Sequence, residues 1–426
     1  MQKKSQIQDL LTSRRFAPMF CTQFLGAFND NLFMSSLVTL ITYEVGSFCG
    51  IPARVLVTIV SGLFILPFFL FSSLAGDIAD KFEKSYILRM VKLFEVILML
   101  LTAWCFTHLN IALLILLLFL MGVKSTFFGP LKYSVIPELL DEDELVTGNA
   151  LVNASTNLAI LFGTICGGLL IMTCHGHAFV SIGLILVSAL GYLASSFVPQ
   201  IAPSSPDLKV RRNLVKGTVE MLKFPFSLLN IAPLILCISW FSCIGSVFLA
   251  QFVTFAKEFA HANNHVSTFF LFIFSIGVVS GSFCCGKLLK GKVSAKLAKP
   301  SLIGMCISII LLYAVSSHFV APSGGELVGI AEFLPHTRSI VICLLLFGIA
   351  TFGGMYSVPL YALLQCKMPR SHGARVIASL NVTDSLGMVL SSVISASLLS
   401  CGVSVLGVFL VFGLLNLAML LFARKL

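Results

Sequence analysis

Polar side chains that could take part in transport chemistry interrupt the first apolar segment, which runs from Phe16 to Tyr43. They are Gln23, Asn29, Asp30 and Asn31. A helix of about 28 residues extends about 40 Å, which is enough to cross a bilayer. Asp30 would then lie near the membrane midplane, where an ionised carboxylate costs at least about 2.5 kcal/mol. Such a carboxylate either pairs with another helix or serves a transport or coupling site, and we favour the second interpretation.

Asp30 has no lysine or arginine within its own span beyond Arg14 and Arg15 at the entrance. A carboxylate in that setting is neutralised by a proton, a metal cation, a substrate ammonium or a basic residue on another helix. The sequence leaves these alternatives open. We therefore expect no cofactor at this site other than a coupling cation, which would be sodium or a proton.

Amides and acids also mark the fifth and eleventh apolar segments. Asn149, Asn153 and Asn157 are spaced by four residues, which places them on one face of a helix. Such a stripe either bonds neighbouring helices together or lines a polar path. Asn381 and Asp384 lie a few turns into the eleventh segment, and we assign them to the same candidate binding site.

Three basic residues lie near predicted helix ends, and one of them has two interpretations. Lys132 lies between Pro130 and Pro137, where its ammonium either extends to the interface or receives a phosphate. Arg89 and Lys92 are expected to extend to the interface. Glu95 lies three residues after Lys92 and is expected to pair with it.

These residues belong to a chain whose composition is that of a polytopic membrane protein. Hydrophobic residues make up 58% of the 426 positions and charged residues 11%. Apolar runs predict twelve spans. They cover residues 16–43, 52–75, 86–107, 109–129, 149–173, 178–198, 231–256, 266–289, 300–319, 338–362, 376–399 and 401–423.

The basic residues predict the orientation of these spans. Of the 28 lysines and arginines, all but Arg54, Lys257 and Arg338 fall in the tails and loops on one side. The positive-inside rule then places both termini in the cytoplasm. The same distribution disfavours a nucleic-acid partner, because the charges flank apolar spans and are not gathered on a soluble domain.

Enzymatic chemistry finds little support in the sequence. The thirteen cysteines are scattered without a CxxC pair, and the eight histidines include no HExxH pair. No nucleophile or phosphate-cradling motif appears either, so we expect neither a metal site nor an enzyme. The stretch from Met1 to Arg15 is polar, and no cleavable signal peptide is expected.

The chain divides into two halves that carry matching short motifs. A polar stretch predicts a cytoplasmic linker at 199–230 between six-helix bundles at 1–198 and 231–426. Pro130 and Leu131 recur as Pro359 and Leu360, and Ala150 and Asn153 recur as Ala378 and Asn381. The offsets of 229 and 228 residues indicate two parallel repeats.

The turn after the second span resembles the major facilitator superfamily. Gly76, Asp80 and Lys81 match that family's G-x-x-x-D-[RK]-x-G pattern, while Glu83 replaces its second glycine. The resemblance implies an all-α fold of twelve spans in two six-helix bundles. It also implies that this turn acts as a conformational latch and does not contact substrate.

Longer stretches resemble the lysophospholipid transporter family. They are Gln23–Asn31, Gly129–Tyr133, Pro137–Leu139 and Val358–Gln365. The seventh span departs from that family, because Phe248, Leu249 and Ala250 occupy the region where members carry an arginine. We expect no fused acyltransferase or acyl-ACP synthetase domain, and such an enzyme would be a separate partner.

The resemblance implies a secondary transporter that moves lysophospholipid across the bacterial inner membrane by alternating access. Lys132 would meet the phosphate, and Asp30 would meet an ammonium or a coupling cation. The alternative is an exporter of amphipathic drugs or another small solute on the same fold, since a fold does not determine its substrate.

Overall fold

The computed structural model describes residues 6–45, 47–211, 213–228, 231–259, 262–290, 292–317 and 328–423. Most of them lie in helices, since a backbone inside a bilayer must satisfy its own hydrogen bonds. The helices are α1 Gln6–Thr12, α2 Ala17–Leu40, α3 Ala53–Lys81, α4 Lys84–Thr107, α5 Ile111–Leu139, α6 Leu145–Ile171, α7 Gly176–Ser196, α8 Leu214–Lys223, α9 Ala232–Glu258, α10 Asn264–Leu289, α11 Ala298–Ser317, α12 Ile330–Phe333, α13 Thr337–Lys367, α14 Gly373–Ser400 and α15 Val405–Ala423. A π-helical turn follows α2 at Ile41–Val45, and β1 (Ser47–Phe48) pairs antiparallel with β2 (Ile51–Pro52).

Twelve of the described helices are long and apolar enough to cross a membrane, which confirms the predicted number of spans. They are α2 to α7, α9 to α11 and α13 to α15. The predicted ends of the ninth span, at 319, and of the linker, at 230, lie outside the described residues.

The predicted end of the fourth span at 129 is wrong. Helix α5 continues through Pro130 and Pro137 and ends at Leu139, and α13 likewise contains Pro359 and ends at Lys367. Proline lacks an N–H and disrupts helices in water, whereas neighbouring helices make it tolerable in a membrane span. Lys132 therefore lies inside a helix and not at its end.

The chain forms two compact units. The first comprises Met1–Glu144, Leu158–Ser227 and Met368–Ser385, and the second comprises Leu145–Asn157, Leu228–Lys367 and Leu386–Leu426. The beginning of α6 thus belongs to the second unit, and the beginning of α14 to the first. The bundle boundaries at 198 and 231 stay a prediction.

Apolar side chains fill the core of the first unit. Phe33, Leu37, Met99, Phe106 and Leu118 are all buried in one cluster from α2, α4 and α5. The Phe33 and Phe106 rings meet edge to face at a centroid distance of 6.1 Å. This packing fixes the three helices that carry the buried charges described below.

Aromatic rings pack around Phe248 in the second unit, in the region of the seventh span that was expected to differ from the lysophospholipid transporters. Phe248 of α9 stacks on Phe409 of α15 with centroids 4.2 Å apart and planes 9° from parallel. Phe274 of α10 stacks on Phe248 from another side, at 6.1 Å. Phe248 is fully buried, so an apolar core occupies this region.

The predicted linker contains a helix that packs within the first unit. Thr218 of α8 donates to the backbone oxygen of Phe69 in α3 at 3.1 Å. Ser379 of α14 donates to the backbone oxygen of Met221 in α8 at 2.6 Å. These bonds attach α8 to both helices.

Candidate functional site

Asp30 pairs with a lysine of another helix. The Lys124 ammonium of α5 donates to Asp30 Oδ1 at 2.6 Å, and the Ser125 hydroxyl donates to Oδ2 at 2.6 Å. Of the four ways to neutralise this carboxylate that the sequence left open, the structure shows a basic residue on another helix. The pairing matches the interpretation that we did not favour, and a transport role for Asp30 stays a prediction.

Lys124 also contacts a second carboxylate, that of Glu95 in α4. Its Nζ lies 3.3 Å from Glu95 Oε2, and Lys92 Nζ lies 2.8 Å from the same oxygen. Asn29 Nδ2 donates to Glu95 Oε1 at 3.1 Å. Asp30, Lys124, Glu95 and Lys92 therefore form a row of alternating charges, which we call the charge chain.

Lys92 occupies a slot between helices that glycines leave open. A Cβ added at Gly26 of α2 would lie 2.5 Å from Lys92 Nζ, and one at Gly191 of α7 would lie 3.5 Å from it. The Nζ also lies 5.1 Å from the centre of the Phe128 ring. The predicted pairing with Glu95 is confirmed, and the expected extension of Lys92 to the interface is wrong because its side chain is sealed.

Two of the predicted site residues lie apart from the charge chain. Asn31 donates to the backbone oxygen of Ala27 in its own helix at 2.8 Å, and its side chain lies against Gly163 of α6. Lys132 is buried, with its Nζ 4.9 Å from the centre of the Tyr133 ring. The structure thus groups Asn29 and Asp30 with the charge chain and leaves Asn31 and Lys132 outside it.

Two of the three predicted amides of α6 bond to other helices of the second unit. Asn153 Nδ2 donates to the hydroxyls of Ser357 at 3.0 Å and Ser282 at 3.3 Å. Asn157 Nδ2 donates to Asn153 Oδ1 at 3.1 Å, and Asn149 bonds to the Gln365 side chain at 2.6 Å. Asn149 and Asn153 thus bond α6 to neighbouring helices, while Asn157 bonds within α6, and the lining of a polar path by this stripe stays a prediction.

Asn381 of α14 makes the corresponding contact in the first unit. Its Nδ2 is buried, donates to no partner among the described residues, and lies where a Cβ at Gly129 of α5 would approach to 2.6 Å. Asn381 lies 228 residues after Asn153, and Ser357 lies 228 residues after Gly129, so the contact of Asn381 with Gly129 corresponds to that of Asn153 with Ser357. The internal repeat is therefore preserved as a helix contact. Asp384 lies about one turn further along α14.

The predicted latch residues join α3 to the beginning of α14. Asp80 accepts from the backbone N–H groups of Ala374 at 2.9 Å and Arg375 at 3.1 Å. A carboxylate is favourable there because the first N–H groups of a helix carry partial positive charge. A Cβ at Gly76 would lie 2.6 Å from that of Ala378. Lys81 instead lies over the Phe82 ring, 5.8 Å from its centre.

An ion pair beside the latch was not predicted. Asp77 accepts from Arg211 of the linker through Nε at 2.9 Å, Nη2 at 2.6 Å and the backbone N–H at 3.0 Å. These bonds raise the pKa of Arg211 above its usual value, so the guanidinium stays charged. Glu220 of α8 also contacts Arg211, at 3.2 Å.

Sequence reasoning also missed Lys124. The signal was present, because Lys124 is a lone cation inside an apolar run, just as Asp30 is a lone anion. No spacing rule connects the two, since they are 94 residues apart. Among the described residues, no group of three or more histidine, cysteine, aspartate and glutamate side chains could hold a metal ion.

Twelve apolar spans among the described residues and a buried row of charges define a polytopic membrane protein. The chain belongs to the major facilitator superfamily, whose family model matches residues 19–392. This family membership confirms the predicted fold class and places the protein as a multi-pass transporter of the bacterial inner membrane.

Similar proteins are named lysophospholipid transporters. The chain is 25% identical over 416 residues to the lysophospholipid transporter LplT of Escherichia fergusonii, covering 95% of this chain and 94% of that protein. It is 27% identical over 419 residues to LplT of Escherichia coli, with 95% and 94% coverage. The predicted family resemblance is thereby confirmed.

Solved structures with the same fold include sugar transporters. The transporter FucP in its outward conformation has a TM-score of 0.72 at 12% identity, covering 96% of this chain and 97% of that one. The proton:xylose symporter XylE has a TM-score of 0.70 at 14% identity, with 99% and 96% coverage. These likenesses show the fold alone.

Proposed function

We propose that this protein moves lysophospholipid across the bacterial inner membrane by alternating access. The observation that carries the proposal is the similarity, along 95% of the chain, to transporters named for that substrate. A lysophospholipid has one acyl tail, a phosphate and often an ammonium. Its carrier needs a cation and an anion away from lipid, and the charge chain supplies both.

Within this proposal, Asp30 receives a substrate ammonium or a coupling cation, sodium or a proton. Its position at the more exposed end of the charge chain supports this role. Lys132 receives the phosphate. Asn29, Asn31, Asn153, Asn157, Asn381 and Asp384 complete the polar surface. Gly76, Asp80 and Lys81 act as the conformational latch, which the bonds from Asp80 to the beginning of α14 support.

We further propose that a separate acyltransferase or acyl-ACP synthetase consumes the transported lipid. A lysophospholipid lacks one acyl chain, so the reaction that follows its entry adds an acyl group. Membrane lipids surround the spans and form the second class of partner.

Uptake by spheroplasts tests the proposed substrate. Cells that express the protein receive labelled lysophosphatidylethanolamine, and ethidium efflux is measured in the same cells. The proposal predicts faster lipid uptake than in cells with an empty vector and unchanged ethidium efflux. Ethidium efflux without lipid uptake would instead assign the protein to the exporters of amphipathic drugs.

A further inference from the structure

The charge chain has one accessible end and one sealed end. The Asp30 side chain retains 15% of its surface exposed, whereas Lys124, Glu95 and Lys92 retain 2%, 1% and 1%. A ligand group that enters the chain therefore meets Asp30 first. If that group is cationic, it competes with the Lys124 ammonium, which lies 2.6 Å from Asp30 Oδ1.

Glu95 lies where it can keep Lys124 paired after such a displacement. Its Oε2 is already 3.3 Å from Lys124 Nζ, so the ammonium has a second carboxylate within reach. A buried ammonium that loses its only partner is strongly destabilised. Glu95 avoids this destabilisation, because the Lys124 ammonium can leave Asp30 and still contact a carboxylate.

Lys92 keeps Glu95 available for this role. Its Nζ donates to Glu95 Oε2 at 2.8 Å, and the slot at Gly26 and Gly191 fixes the ammonium there. Asn29 holds the other carboxylate oxygen through Nδ2. Glu95 is therefore held by fixed donors on two sides, while Lys124 alone bridges from it to Asp30.

We propose that Glu95 and Lys92 are positioning residues that hold Lys124 while Asp30 exchanges that lysine for a cationic group of the transported species. The four charges sum to zero. A cation that arrives at Asp30 takes the place of Lys124 beside that carboxylate, leaves both lysines beside Glu95, and gives the occupied site one net positive charge. This inference rests on the proposed function. The cationic group has two possible sources, which are the ammonium of the lipid headgroup and a coupling cation.

The double variant Lys92→Met/Glu95→Gln tests the exchange. Each single substitution leaves a buried charge with fewer partners, whereas the double variant removes a neutral pair with side chains of similar size. A purely structural pair predicts that the double variant restores both folding and transport. The exchange role predicts restored folding, with uptake of lysophosphatidylethanolamine per folded molecule lower by about tenfold because Lys124 has no second carboxylate.

The headgroup identifies the source of the cation. Loss confined to lysophosphatidylethanolamine, with lysophosphatidylglycerol transported at the wild-type rate, assigns the cation to the substrate ammonium. Equal loss for both lipids assigns it to the coupling ion. Wild-type rates for both lipids in the folded double variant overturn the inference. Glu44→Gln, which removes an acid that pairs with His177 outside the charge chain, is the control.

A second variant keeps the test decisive if the double variant does not fold. Glu95→Asp retains the charge but shortens its reach toward Lys124, and it is expected to slow transport of the affected lipid while preserving the folded amount. Unchanged transport by Glu95→Asp overturns the inference. All rates are measured with purified protein in liposomes. If the wild-type protein transports neither lipid there, the proposed function fails instead, and the two failures are thereby distinguished.

Discussion

Lys124 is the central residue of the charge chain, because its ammonium lies between the carboxylates of Asp30 and Glu95. A lysine in this position does more than neutralise one acid. It couples the state of the accessible carboxylate to that of the sealed one. Single substitutions along the chain are therefore expected to have different effects at its two ends.

Asp30→Asn separates the possible roles of the accessible carboxylate. If Asp30 binds a coupling cation, the variant binds lysophospholipid but loses accumulation driven by a sodium or proton gradient. If it binds an ammonium, choline and ethanolamine lysolipids lose transport while lysophosphatidylglycerol is spared. Purified protein in liposomes, assayed with each headgroup under imposed gradients, measures both. Normal gradient-driven transport of every headgroup would reduce Asp30 to a structural residue.

Lys132→Ala tests the proposed phosphate contact. We expect a larger fall in the transport of phosphate-bearing lysolipids than in the amount of folded protein, because the variant removes a buried cation from α5. Transport is normalised to folded protein by size-exclusion chromatography. Transport per folded molecule equal to wild type would leave Lys132 without a role in substrate binding.

Gly26→Ala tests the slot that holds Lys92. The new Cβ would lie 2.5 Å from Lys92 Nζ, so the ammonium must shift away from Glu95. We expect the free energy of unfolding to fall by about 2 kcal/mol, which is typical of losing a hydrogen bond to a charged group. The measurement is a lower melting temperature in detergent. The matched control is Gly62→Ala in α3, where no heavy atom lies within 4 Å of the added Cβ and alanine favours the helix. Equal melting temperatures for the two variants would contradict the claim that the Lys92 ammonium depends on the space at Gly26.

Among the elements, α8 with the preceding linker residues ties α3 to α14. Arg211 binds Asp77 of α3, and Met221 accepts from Ser379 of α14. The described linker residues up to Ser227 thus belong to the first unit. Its sequence signals were weak, since a stretch rich in Pro, Ser, Lys and Arg predicts an open connection, and the Asp77 partner lies 134 residues away.

Arg211→Ala is expected to loosen this linker. The substitution leaves the buried Asp77 carboxylate without its guanidinium partner, which lowers the free energy of unfolding by about 3 kcal/mol. Limited digestion with proteinase K should then cleave the linker faster than in wild type. Lys209→Ala, which removes an exposed cation two residues away, is the control and should digest at the wild-type rate. Unchanged digestion of Arg211→Ala would show that α8 is held by other contacts.

The twelve helices and some of their ends, such as Thr107 and Leu289, were predictable from the sequence, whereas the end of α5 was not. Long apolar runs define the twelve spans because only helices satisfy their backbone inside lipid. The predicted end of α5 was wrong because Pro130 and Pro137 were interpreted with rules for helices in water. The pair Lys92 and Glu95 was predictable from its spacing of three residues. The pair Lys124 and Asp30 was not, because contacts across helices depend on packing.

For the whole molecule, the distribution of basic residues predicts the orientation in the membrane. Cytoplasmic termini predict that Leu109, in the turn after α4, lies outside and that the acidic loop at Asp143 lies inside. Alkaline phosphatase, which is active only outside the cytoplasm, should be active when fused at Leu109 and inactive when fused at Asp143. The reverse pattern would invert the proposed topology.

Lipid movement by the purified protein tests the central claim most directly. Liposomes that contain the protein receive lysophosphatidylethanolamine with a label that can be quenched from outside, and protection of the label reports its passage to the inner leaflet. The account predicts protein-dependent protection that saturates with lysolipid and is slower in Asp30→Asn at equal folded amount. Protection at the rate of protein-free liposomes, in a preparation whose folding is verified by its melting transition, would contradict it.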